Sequence, residues 1–172
     1  MDVRTGSEEC EGLMVTTSYK LFSPLSLGED LVLTNRIVLA PMTQTLVPHE
    51  STGLYYAQRA SAGLVITEAV VVSRQAAGWY GAPGMFTDEQ EAAWKEVVDL
   101  VHARGGKIFM QLQHMGRRNP IVSASALQCP DDGFGLNASG EKTPFEKPQA
   151  LETDAIAGII DQFVVAATRA KR

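Results

Sequence analysis

The sequence is poor in what nucleic-acid, metal and membrane binding require. Lys and Arg number 15 against 20 Asp and Glu, a formal charge of -5 over 172 residues, and no basic stripe stands out. Phosphate contacts need such a stripe, so nucleic acid is excluded as a partner. No apolar run approaches the ~20 residues of a membrane span, so no membrane role is expected. The two cysteines, Cys10 and Cys129, lie far apart and outside any metal-ligand spacing. That pattern excludes a disulfide framework and predicts a reducing, cytoplasmic setting. The opening MDVRTGSEECEGLMVTTSYK has acids where a secretory leader carries a basic region, so no leader is expected. His49 and His102 show no metal spacing either; both read as surface residues, and no metal is expected.

What is present is an ordinary globular composition, 45% hydrophobic and 20% charged, with room for one core. Residues 1–18 are polar and aperiodic and read as a flexible extension; residues 19–172 read as one unit. LFSPLSLGEDLVLTN predicts a hairpin turning at Gly28-Glu29-Asp30. RIVLAPM follows as a buried strand stopped by Pro41. Ser51–Ala62 predicts a helix with Gly63 as its left-handed stop, and LVITEAVVV a second buried strand. Thr87-Asp88-Glu89-Gln90 has the form of a capping box, with Trp94, Val97, Val98 and Val101 on one helical face and Gly105-Gly106 at the end. KIFMQLQ is the third strand. Residues 115–152, rich in Pro and Gly, read as a long loop of the kind that carries function. Thr153 can cap a last helix, whose apolar stripe is Ile156, Ile159, Ile160, Phe163, Val164 and Ala167.

Strands alternating with helices imply right-handed crossovers and a parallel sheet. An open nucleotide-binding sheet should show a glycine fingerprint after its first strand, where this sequence reads APMTQT. The expectation is therefore a (β/α)8 barrel, although such barrels typically take ~250 residues and only three strand–helix units are readable. The predicted fold is a partial barrel preceded by an amino-terminal hairpin.

In such a barrel the functional face lies at the carboxyl ends of the strands. Those ends offer Pro41-Met42-Thr43-Gln44, Glu68-Ala69 and Gln111-Leu112-Gln113-His114. Amides and a hydroxyl neither titrate nor attack, and no nucleophile–base pair is evident. They suit the edge of a planar heterocycle, while Gln111 paired to loop backbone and Thr43 as a turn residue are the plain structural alternatives. Glu68 sits inside an apolar run, where a bare carboxylate is costly; the expectation is a structural ion pair with a barrel arginine such as Arg36. His114 and Arg117 read either as a packed loop pair or as ligand-binding groups.

The segments LFSPLSLG, NRIVLAPMTQ, YYAQRASAGLVITEA, GAPGMFTDEQ and GGKIFMQLQHMGR stand in an order and spacing that resemble the amino-terminal half of the old yellow enzyme family, over roughly residues 21–170. That resemblance implies an FMN-binding TIM barrel and an NAD(P)H-using ene-reductase acting on small activated alkenes such as α,β-unsaturated carbonyls. It assigns Pro41, Met42 and Thr43 to the segment along the flavin ring, with Thr43 near its reactive nitrogen. It assigns Ala69 to the small residue under the ring and Gln111 to the pyrimidine edge. Gln113 is substrate-facing where a tryptophan is common, and Trp79 falls where many relatives have a tyrosine.

The resemblance also implies a fourth strand with a His–Asn pair, a proton-donating tyrosine and phosphate-gripping residues, none of which has a match in this sequence. No catalytic residue is therefore expected within it. An incomplete barrel should self-associate or take a complementary barrel half. An inactive product acting as an interaction or structural module is the alternative, and a barrel enzyme of another class, such as an aldolase, is a third reading.

Overall fold

A computed structural model describes residues 19–172, apart from 45–49, 119–120, 130–132, 138 and 140. The expected extension at 1–18, with Cys10, and His49 lie outside the described residues.

The chain enters through a hairpin of β1 (Leu25–Leu27) and β2 (Leu31–Leu33), antiparallel with Leu25 opposite Leu33. Gly28 makes the turn at φ 69°, a conformation that favours glycine. Leu33 is the hairpin's buried anchor. Then come β3 (Val38–Leu39), α1 (Glu50–Ala57), β4 (Leu64–Val71), α2 (Asp88–His102) and β5 (Ile108–Gln113). The three strands form a parallel sheet in the order β3-β4-β5. Among the described residues this sheet does not close, in keeping with the partial barrel expected.

β4 is the centre of the sheet and is buried along almost its whole length. Val65, Val70 and Val71 meet Tyr56 and Ala57 of α1 and Trp94, Val97 and Val101 of α2 in one core. Each such side chain, fully buried, contributes about 1.5–3 kcal/mol. Gly53 lets the two helices close in, since a Cβ there would stand 2.5 Å from Leu100 Cδ1.

α2 forms as its sequence predicts. The Thr87 hydroxyl accepts the Gln90 N–H while the Gln90 side chain accepts the Thr87 N–H, a reciprocal cap. Trp94 also donates its indole N–H to the Gly84 carbonyl at 3.2 Å.

Several expectations are corrected. The strand read from RIVLAPM is only two residues long, and Ile37 and Val38 are exposed rather than buried. β3 has no strand on its outer side among the described residues, and of its two side chains Leu39 packs on the core while Val38 is exposed. α1 ends at Ala57, before Ala62, and Gly63 is not left-handed. Gly63 is needed for space instead, because a Cβ would fall 2.0 Å from the Asn35 carbonyl oxygen. The Asn35 side chain in turn accepts the N–H groups of Ile37 and Gly63, clamping the starts of β3 and β4 together.

The segment 115–152 is not a plain loop. β6 (Val122–Ser123) pairs in parallel with β9 (Gln149–Ala150), enclosing the hairpin of β7 (Phe134–Leu136) and β8 (Lys142–Pro144). Thr153 does not cap the last helix. It opens a single 3-10 turn, and α3 (Ile156–Lys171) follows with Ala155 at its start and no side-chain cap. Only part of the expected α3 stripe is covered: Phe163 packs on the core, while Ile156, Ile160, Val164 and Ala167 are exposed, and the fully buried residue is Ala166, outside that stripe.

The Gly63 contact is testable. Gly63→Ala forces a methyl against backbone that cannot swing aside, and should cost about 1–3 kcal/mol. A lowered urea midpoint is expected; an unchanged midpoint would mean that the Asn35 clamp is not rigid.

Candidate functional site

The carboxyl ends of β4 and β5 set the geometry. Across the ladder Ala69 lies opposite Gln111 and Val71 opposite Gln113, after a register shift. Ile66 pairs with Phe109 and Ala69 with Gln111, so Thr67 and Glu68 together face Met110. This is a β-bulge, which bends a strand and re-aims its side chains.

Thr67 repairs the ladder at that point. Its Oγ1 accepts the Gln111 N–H at 3.1 Å and donates to the Glu68 carbonyl at 2.8 Å. The bulge thus costs no backbone donor, and it fixes Gln111 beside Ala69. Glu68 is fully buried. Its N–H donates to the Tyr56 hydroxyl at 2.9 Å, and its Oε2 accepts the Gln44 N–H at 3.0 Å. Burial pushes the Tyr56 phenol up to about 12, so it remains protonated.

The expected pairing of Glu68 with Arg36 does not form. Arg36 donates to Ser23 Oγ and the Pro24 carbonyl in the hairpin. Glu68 is structural in another way: its carboxylate ties the segment after β3, at Gln44, to the end of β4. Pro41, Met42 and Thr43 lie in that tethered segment, Met42 and Thr43 exposed and Pro41 half-buried. Ala69 is buried and Gln111 exposed.

The hydroxyl of Thr43 and the carboxamides of Gln111 and Gln113 have no hydrogen-bond partner among the described residues. One sheet end therefore presents three unengaged hydrogen-bonding side chains beside a small buried alanine. That combination can hold a flat polar ring by its edge. Among the described residues no cluster of three His, Cys, Asp or Glu could hold a metal ion, and no helix is long and apolar enough to cross a membrane.

Trp79 stands apart from this group. It is half-buried in the 72–87 connection, its ring packed against the core and its indole N–H without a partner among the described residues. His114 is held locally: Nδ1 accepts the Gly116 N–H at 3.1 Å, which places its proton on Nε2. Arg117 is exposed on a short 3-10 turn. The buried Nε2 has no partner among the described residues, so the histidine is engaged at one ring nitrogen and not at the other, and the two readings of this pair stand side by side. Reading the sequence for function passed over Thr67 and Tyr56; the available signal was a Thr-Glu pair inside an otherwise apolar strand.

Two outcomes test this geometry. Thr67→Val leaves the Gln111 N–H without its acceptor, an expected cost of about 1–3 kcal/mol, whereas Thr67→Ser should restore most of the loss; equal stabilities by urea denaturation would sink the bulge argument. Burial holds the His114 imidazole below its ordinary value of 6.5. The unfolded chain then binds a proton there before the folded one does, so this group's contribution is present above 6.5 and lost as pH falls through the depressed folded value. An NMR titration should find its midpoint below 6.5, and a midpoint above 6.5 would contradict the burial.

Residues 20–172 match the model of the NADH:flavin oxidoreductase / NADH oxidase family. Putative 12-oxophytodienoate reductase 2 of Oryza sativa subsp. japonica is 39% identical over 165 residues, covering 87% of this chain and 42% of that protein. Among solved structures, morphinone reductase in complex with tetrahydroNAD is similar at a TM-score of 0.81 and 43% identity, covering 90% of this chain and 47% of the other. The old yellow enzyme homologue from Zymomonas mobilis is similar at 0.82 and 40% identity, covering 88% and 45%. The chain spans less than half the length of these relatives. With the family pattern running from Lys20 to Arg172 and the fold shared at this level of identity, the chain belongs to the NADH:flavin oxidoreductase / NADH oxidase family, among the homologues of old yellow enzyme.

Proposed function

We propose that this chain carries the flavin-ring side of an FMN-dependent NAD(P)H oxidoreductase that reduces activated alkenes such as α,β-unsaturated carbonyls. The observation that carries this reading is the ladder pairing of Ala69 with Gln111, with the Gln111 carboxamide unengaged. A small side chain gives a planar ring room to approach, and an amide can donate and accept at once along a pyrimidine edge. Thr43 would donate or accept at the ring's other side, on the segment that Glu68 tethers through Gln44. FMN, when bound, supplies hydride transfer between NAD(P)H and the substrate. Gln113 and Trp79 would face a small-molecule substrate, and the proton donor is not among the residues assigned here.

A second reading has its own observation in support. On the sheet face that a closed barrel would enclose, Phe109 is half exposed and Gln111 exposed. An inactive interaction module, or a chain completed by a separate barrel half, would present such a face.

The test is absorbance of the purified chain after soaking in FMN and desalting. A retained, shifted flavin spectrum supports the ring site, and Gln111→Leu should then weaken FMN binding about tenfold, equivalent to one hydrogen bond of about 1.4 kcal/mol. A colourless chain that also stays inert towards NADPH when coexpressed with the carboxyl-terminal half of a relative would favour the interaction module. Flavin retention unaffected by substitution at Gln111, Thr43 and Ala69 together would remove this set of residues from the site.

A further inference from the structure

The connection from β4 to α2, residues 72–87, carries Trp79, and the sheet alone does not explain how it is held. Its ends are closed on one residue: Val71 N–H donates to the Pro83 carbonyl at 2.8 Å, and Met85 N–H donates to the Val71 carbonyl at 3.0 Å. Residues 72–83 are therefore a loop with a fixed neck. Within it Gly81 turns the tip at φ 79°. Of its two aromatic residues, Trp79 packs against the core while Tyr80 is exposed.

Beyond the neck the loop runs along the continuation of β5. Val72 N–H donates to the Gln113 carbonyl at 3.3 Å and Met115 N–H to the Ala76 carbonyl at 3.1 Å, so two backbone bonds tie the loop to the residues on either side of His114. Gly78 completes the contact. A Cβ there would stand 2.7 Å from Met115 Cβ and 2.8 Å from the Arg118 carbonyl oxygen. Neither atom is free to swing aside: Met115 is buried, and the Arg118 N–H donates back to the Met115 carbonyl at 3.3 Å. Gly135 of β7 also comes close, since a Cβ there would stand 3.7 Å from the Gly78 carbonyl oxygen. Gly78 is not among the glycines of positive φ, so its backbone would accept alanine and space alone requires glycine.

We infer that Gly78 is a positioning residue: its missing side chain lets the loop seat on the turn at Met115–Arg118, and that seating fixes the adjacent Trp79 relative to Gln113. That this arrangement serves substrate binding rests on the function proposed above. Trp79 and Gln113 stand on different segments, and a small displacement between two groups that meet one ligand is enough to weaken its binding. The two backbone bonds and the close approach at Gly78 join those segments into one body.

Acrylamide quenching of tryptophan emission tests this without any ligand, because Trp94 is 1% exposed and Trp79→Phe identifies the share of Trp79. Gly78→Ala should raise the quenching constant of Trp79 about twofold through local opening, with circular dichroism unchanged and the Met115 amide losing its protection from hydrogen exchange. Gly106→Ala is the control: a Cβ there would stand 2.8 Å from Ala60 Cβ, a similar crowding that does not involve the loop, and it should lower the urea midpoint without exposing Trp79. Equal quenching of Trp79 in the two variants, or in Gly78→Ala and the wild type, would overturn the inference. So would a wild-type Met115 amide that exchanges as fast as an exposed loop, a readout that needs no variant to fold. In the FMN-soaked chain, Gly78→Ala should bind cyclohex-2-enone about fivefold more weakly through lost preorganisation, read from the flavin absorbance, with FMN retention unchanged. Unchanged enone binding with Trp79 released would remove the positioning role. A wild-type chain that keeps no FMN counts against the proposed function alone, since the quenching and exchange readouts then still decide whether Gly78 seats Trp79.

Discussion

A polar pair inside an apolar strand, Thr67-Glu68, governs how this structure is put together. β4 is buried on both faces, an environment in which each polar atom must find a partner or cost free energy. Thr67 satisfies Gln111, and Glu68 engages Tyr56 through its N–H and Gln44 through its carboxylate. These bonds join β5, α1 and the segment after β3 to one central strand. They add to the ladder pairs on either side of the bulge in holding Ala69 against Gln111, and the Glu68–Gln44 bond ties the Pro41–Gln44 segment to the end of β4.

The same strand explains why the sheet is well packed at its centre and open at its edges. β4 has neighbours on both sides and helices against it, so its valines are covered. Among the described residues β3 and β5 each have one neighbour, and their exposed Val38 and Phe109 mark where covering stops. Apolar strands of this kind are written for a sheet with both faces covered. Packing is consequently densest around β4, and the outward backbone groups of β3 and β5 are unpaired by any strand among the described residues.

How much was legible in the sequence depends on how local each determinant is. The α2 cap was readable because Thr87 and Gln90 are three residues apart and act on each other's backbone. β4 and β5 were readable because their apolar runs have strand length, and the clustering of Ala69 and Gln111 followed from their places at strand ends. What escaped was set by distant partners. Gly63 looks like a helix stop until Asn35, 28 residues away, is seen to occupy its space. The expected Glu68–Arg36 pair failed because Arg36 is engaged within the hairpin. The bulge could not be read, because it shows only when β4 is laid against β5. Thr153 has the chemistry of a cap, but the chain enters α3 through a 3-10 turn that takes its position.

The groups proposed for the site favour positioning over reaction. Thr43, Gln111 and Gln113 carry a hydroxyl and two carboxamides, none of which changes charge near neutral pH. Any affinity they confer must therefore come from where they are held. Buried Thr67 holds Gln111 through its backbone N–H, and buried Glu68 holds the segment of Thr43 through Gln44. A change at either buried residue would act on the site through displacement of Gln111 or of the Thr43 segment, by a fraction of a hydrogen-bond length, without altering a single group that a ligand would touch.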